Sequence, residues 1–227
     1  LRIEVETRSI DDVKKVLQIG KGKVFRVMLD NFQPEQVKQA VDLIVSSAAS
    51  AVSRLQFYRV AYGNVKNHGE ANLAEKQKIA ADFFVGSKIS LDWPEAHTDA
   101  SGVSISLKML RLIYNLLIIS SNSLMRGGTI SVRLEKDNLG QKIVIVSAKG
   151  DSIKWDTMAE KILSLASPYD IPPDCALSAK NVQLHITKQY TVDLNATIKW
   201  TVTAGELVLK VTQPLGEQQT IDCENIL

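Results

Sequence analysis

From Pro34 to Tyr62 the chain contains no glycine or proline. Val37, Val41, Ile44, Ala48, Ala51, Leu55, Tyr58 and Tyr62 recur there at alternating spacings of four and three. That spacing predicts one long helix with a narrow apolar seam, the pattern of a coiled coil or a four-helix bundle. Pro34 suits the first helical position, where its missing N–H costs nothing, and Gly63 is placed to stop the helix. At a rise of ~1.5 Å per residue the rod is about 40 Å long. The small residues of "SSAASAVS" allow close approach at mid-length. The chain offers few other long helices, so the seam predicts a homodimer paired along Val41, Ala48 and Leu55, or else an apolar face left poorly covered.

The pattern before and after this helix is different. Residues 1–33 read as a β-α-β segment: the strand "RIEVET", a helix through "DDVKKVLQIG" capped by Ser9 or Asp11, a turn at Gly20 and Gly22, and a second, more buried strand "VFRVML". From about Glu70 onward, periods of 3.6 and 2 interleave. A helix "LAEKQKIAADFFVG" ends at Gly86, and the strand "KISLDWP" is closed by Pro94. The apolar helix "VSISLKMLRLIYNLLIISSNSLM" stops at Gly127 and Gly128. Strands "TISVRLEKDN" and "QKIVIVSAKG" then flank a turn at Asn138–Gly140. A helix "DTMAEKILSLA", a loop through Pro168, Pro172 and Pro173, and a helix "SAKNVQLHITKQYT" precede two last strands, "ATIKWTVTAG" and "GELVLKVTQP", and a tail. The order predicts an α+β fold with helices on one face of a mixed, mostly antiparallel sheet. Three segments are expected: 1–33, the helix in 34–66, and an α/β sandwich over 67–227.

Composition narrows the function. A formal charge of +2 without a Lys/Arg cluster argues against a nucleic-acid binder. No stretch approaches the ~18 apolar residues of a membrane span, and "LRIEVETRSIDD" has acids where a signal peptide needs an apolar core. Cys175 and Cys223 lack metal or redox spacing, which suits idle thiols in the cytoplasm; no metal site is expected.

The stretch "NLLIISSNSLMRGGTISVRLE" resembles the opening of the nucleotide site in a sensor histidine kinase, a Bergerat-type α/β sandwich, but the ligands are missing. One turn after Asn115, where such a site needs an oxygen for Mg²⁺, stands Ile119. Where the adenine-binding Asp belongs, "VSAKGD" has Ala148 and Lys149, and Asp151 comes too late. The lid stretch "SPYDIPPDCALSAKN" contains no glycine. With "RLQFYRVAYG", "SLKMLRLIYNLLIISSNSLMRGGTISV" and "NVQLHITKQY", residues 40–215 resemble the ChpT-type bacterial histidine phosphotransferases. These share the kinase frame and do not use ATP. The resemblance implies no cofactor, and a relay between receiver domains of response regulators and a hybrid histidine kinase. Docking residues expected beside the seam are Arg54, Gln56 and Arg59, which suit acidic receiver surfaces.

The family carries its phosphoacceptor, a His followed by Asp, on the helix before the seam helix. Imidazole suits that task because its free form is nucleophilic near neutrality. Here His68 and His97 fall in polar loops and His185 on a helix of the sandwich, and none fits. The β-α-β segment stands in that place. Its "IEVET" and "MLDNFQPE" resemble quinolinate phosphoribosyltransferase over about residues 1–44. That resemblance places Glu6 and Asp30 at strand ends facing the mouth of a β/α barrel, although two strands close no barrel. The chain therefore reads as a junction of two families near "QPEQVKQAVDLI". Whether it transfers phosphate stays open, and the alternative is a non-catalytic dimeric scaffold. A phosphoribosyltransferase remnant is the weaker third reading.

Overall fold

The structure, a computed structural model, describes residues 3–20, 23–29, 31–63, 73–94 and 105–215. It divides into two compact units, Leu1–Gln56 and Phe57–Leu227, with the division falling inside one continuous helix.

In the first unit β1 (Ile3–Thr7) pairs in parallel with β2 (Val24–Leu29), joined by α1 (Ile10–Ile19). Of the two expected caps, Ser9 is the one used: its hydroxyl accepts from the Asp12 amide at 3.1 Å. Thr7 donates to the Met28 carbonyl at 2.9 Å, and Arg26 pairs with Glu4 at 3.2 Å across the register position Glu4↔Arg26. The expectation of a more buried second strand is overturned. Phe25 is 56% exposed and Met28 41%. Parallel strands need cover on both faces, and one short helix shields little of a two-stranded sheet.

The long helix α2 spans Pro34–Tyr62, with the start and stop expected from Pro34 and Gly63. The seam reading missed half of its chemistry. In the last turns the buried residues are Phe57, Val60 and Ala61, spaced i, i+3, i+4 on the side opposite Leu55. Phe57 stacks on Phe83 at 4.0 Å and tilts against Tyr114 at 4.5 Å. The helix is thus apolar on two faces near its end. Large aromatic area on one face is taken into the second unit's core, while Val41, Leu55 and Tyr58 remain exposed.

The second unit is the expected sandwich. Its elements are α3 (Leu73–Phe84), β3 (Ile89–Asp92), α4 (Leu107–Ser123), β4 (Gly128–Lys136), β5 (Lys142–Lys149), α5 (Thr157–Ser164), α6 (Val182–Asp193), β6 (Thr197–Val202) and β7 (Glu206–Gln213). The sheet order is β3-β4-β5-β7-β6, with β3 parallel to β4 and the other pairs antiparallel. Ile130, Val132 and Leu134 alternate inward on β4, as do Val144, Val146 and Ala148 on β5. Among the inward residues of β7 are Leu207, Leu209 and Val211. Helix α4 lies against this face and is buried all round from Leu112 to Leu117, which explains its nearly unbroken apolar run. Ser106 caps its start by accepting from the Met109 amide, so the helix begins later than its apolar pattern suggested. The proline-rich loop contains a short 3₁₀ turn, Pro173–Cys175, that no periodicity announced.

The Gly127–Gly128 turn feeds α4 into β4 through close backbone contact. Gly128 has φ +148°, and a Cβ there would lie 2.1 Å from the Lys149 carbonyl. Among the described residues no helix is long and apolar enough to cross a membrane.

Candidate functional site

Asn115 is the first Asn of the apolar helix, and it is completely buried. Its Nδ2 donates to the Arg111 carbonyl at 2.7 Å and to the Ala61 carbonyl at 3.3 Å. Its Oδ1 accepts from Gln183 Nε2 at 2.7 Å, and Gln183 Oε1 in turn accepts from the Tyr62 hydroxyl. Arg111 donates to the Gly63 carbonyl at 2.6 Å, and the Tyr190 hydroxyl to Ala61 at 3.3 Å. These bonds occupy carbonyls at the end of α2 that a helix terminus leaves unpaired. Asn115 therefore works as a fastening for α2. Burial pushes the Tyr62 hydroxyl up to about 12, and it pushes Tyr114 higher still, with Glu75 adding to the effect.

Beside this network lies a cavity of about 200 Å³ between α4, the start of α5 and the start of α6. Ile119, Ala159 and Leu184 supply apolar wall, and Gln183 and Trp155 also line it. Lys154 and Lys180 bring positive charge to it, while Asp156 caps α5 by accepting from the Met158 amide at 2.9 Å. Ile119, one turn after Asn115, is 6% exposed.

The three docking candidates are exposed on α2: Arg54 and Gln56 in the first unit, Arg59 in the second. At 100° per residue, Arg54 falls to one side of the Leu55–Tyr58 seam and Arg59 to the other. Glu6 is exposed at the end of β1 and accepts from Arg8 at 3.3 Å, a local surface pair. Asp30 lies outside the described residues, as do His68, His97 and Cys223.

His185 is 9% exposed on α6, with Nε2 3.0 Å from the Cys175 carbonyl. A carbonyl only accepts, so Nε2 carries the proton. Nδ1 is buried and has no partner among the described residues. Cys175 itself is buried. A ring enclosed in this way cannot reach into the cleft of another protein.

Sequence reasoning missed Gln183, Tyr62 as its partner, Trp155, and the lysines at the cavity. Nothing in their spacing marks them, because they come from separate elements brought together by packing.

Helices over a β3-β4-β5-β7-β6 sheet, with Asn115 fastening the end of the long helix, define an α/β sandwich of the α+β class. Residues 73–206 match the family model described as the histidine phosphotransferase C-terminal domain, and the chain belongs to that family. Residues 1–91 match the C-terminal domain of quinolinate phosphoribosyl transferase. A curated relative, the protein phosphotransferase ChpT of Brucella abortus (strain 2308), is 29% identical over 172 residues, covering 75% of this chain and 77% of that protein. Among solved structures, a bacterial phosphotransferase superposes with a TM-score of 0.64 at 23% identity, covering 89% of each chain. The histidine kinase domain of the blue-light activated kinase of Erythrobacter litoralis EL346 gives a TM-score of 0.46 at 15% identity, over 92% of this chain and 97% of that one.

Proposed function

We propose that this histidine phosphotransferase works in two-component signalling as a phosphorelay protein. It docks receiver domains of response regulators, and the receiver of a hybrid kinase, along α2, and it does not use ATP. The observation that carries the second point is the engagement of Asn115. Its amide is spent on Ala61, Arg111 and Gln183, the next turn offers Ile119, and the adjoining cavity is about 200 Å³. Pockets for drug-sized ligands span roughly 300–1,000 Å³, and a nucleoside triphosphate belongs in that range. Docking is supported by the exposed Arg54, Gln56 and Arg59 beside an open apolar seam, since cations on a rim steer acidic partners.

A second reading rests on one observation: the described histidine, His185, is enclosed. On that reading the protein is a non-catalytic, dimeric docking module made of a β-α-β segment, a bundle helix and a kinase-like sandwich. Glu6 and Asp30 are then remnants without chemistry. Incubating the chain with a phosphorylated receiver domain separates the two. Acid-labile phosphate on the chain supports relay. Receiver binding without label supports the docking module. Isothermal titration with magnesium-ATP is expected to give no saturable heat, and ordinary kinase affinity would defeat both.

A further inference from the structure

The sandwich sheet ends in two edges, β3 and β6, and they differ. β3 is short, Ile89–Asp92, and the Arg133 guanidinium reaches the Asp92 carbonyl at 3.3 Å and its carboxylate at 2.6 Å. β6 is longer, Thr197–Val202, and pairs with β7 in unbroken register. The Thr203 amide donates to the Glu206 carbonyl at 2.8 Å and closes that hairpin. Antiparallel pairs alternate in bonding, so Thr201, Lys199 and Thr197 turn their main chain toward β7. The N–H and C=O groups of Ile198, Trp200 and Val202 point the other way, and among the described residues no strand takes them up. Natural sheets blunt such an edge with a proline, a bulge or an inward charge. β6 has none of these.

The two sides of this edge differ in chemistry. Toward the helices, Ile198 and Trp200 pack on the core, the Trp200 ring lies 6.1 Å from that of Trp155, and Val202 is 39% exposed. On the open face Lys199 stands directly opposite Lys210, both exposed, and neither meets a carboxylate among the described residues. Like charges so placed destabilise a sheet, and an acid on the far side of Lys199 offsets that. We infer that the β6 edge is a docking site for an extended segment of another protein, added antiparallel as the next strand, with apolar residues toward the helices and acidic residues beside Lys199. Its main chain takes up the free groups of Ile198, Trp200 and Val202, and its alternating side chains give selectivity. The partner is a stretch not already paired in its own fold, a linker or a tail. Arg54, Gln56 and Arg59 take no part, so the site is separate from receiver docking on α2.

The test is fluorescence anisotropy of the full chain with the labelled, end-capped peptide Thr-Val-Glu-Val-Glu-Val-Thr, whose valines match Ile198, Trp200 and Val202. Saturable binding is expected. Hydrogen exchange read by NMR slows at the amides of Ile198, Trp200 and Val202, and not at those of Lys199 and Thr201, which β7 already holds. Methylating the valine nitrogens, which face β6, abolishes binding. Replacing both glutamates by lysine weakens it about fivefold, and Lys199→Glu, at an exposed position, reverses that preference. Absence of saturable binding overturns the inference. So does an N-methylated peptide that binds as well as its parent, or a charge preference that ignores Lys199→Glu. Self-association through β6 that the peptide dissolves would give the edge to a second copy of the chain and overturn its assignment to another protein.

Discussion

Asn115 Oδ1 accepts a hydrogen bond from Gln183 Nε2 at 2.7 Å, deep between α4 and α6. The same two side chains reach Ala61 and Tyr62 at the end of α2. Asn115 thus holds the end of α2 to the sandwich. Asn115→Ala removes the bonds to Arg111, Ala61 and Gln183 and leaves buried polar groups unpaired. Urea unfolding is expected to show a loss of about 1–3 kcal/mol. Gln183→Ala should cost less, and the double variant less than the sum, because both act in one network. Additive losses would show that the two do not cooperate.

Among the described glycines of the sandwich, Gly128 has the closest backbone neighbour. Its φ of +148° disfavours any side chain, and a Cβ would sit 2.1 Å from the Lys149 carbonyl. Gly128→Ala is expected to destabilise by about 2 kcal/mol or more, read as a lowered thermal midpoint. Gly86 has open space around its Cβ position, so its Ala variant isolates the cost of a positive φ alone.

Two phenols, Tyr114 buried and Tyr62 partly exposed, give the fold an alkaline limit. Tyr62 is raised from 10.0 to about 12, chiefly by burial, and Tyr114 is raised for the same main reason. The native state holds these protons longer than the unfolded chain does. Their contribution is therefore fully present below pH 10 and lost as pH rises toward 12. Denaturation at a series of alkaline pH values should show that decline, and Tyr62→Phe should make it shallower. A slope unchanged in the variant would mean that Tyr62 titrates at the same pH in the folded and unfolded states.

Val41 and Leu55 are 46% and 63% exposed on the open seam of α2. Light scattering is expected to find a homodimer, and Leu55→Asp a monomer with unchanged helical content. A wild-type monomer at high concentration would remove the case for self-pairing.

The order of helices and strands was legible in the sequence because each element carries its own period and its own stop. Pro34 and Gly63 bound α2, Gly127–Gly128 end the apolar helix, and alternation marks β4 and β5. Partnership was not. Phe57 and Leu55 are both apolar on one helix, yet only Phe57 is buried, because Phe83 and Tyr114 come from elsewhere in the chain to meet it. VFRVML reads as a buried strand and is exposed, because its cover depends on neighbours that a local pattern does not specify. Periodicity within a segment determined what each element is. Contacts between segments distant in sequence decided which face is covered, where Asn115 spends its amide, and which charges meet at the cavity.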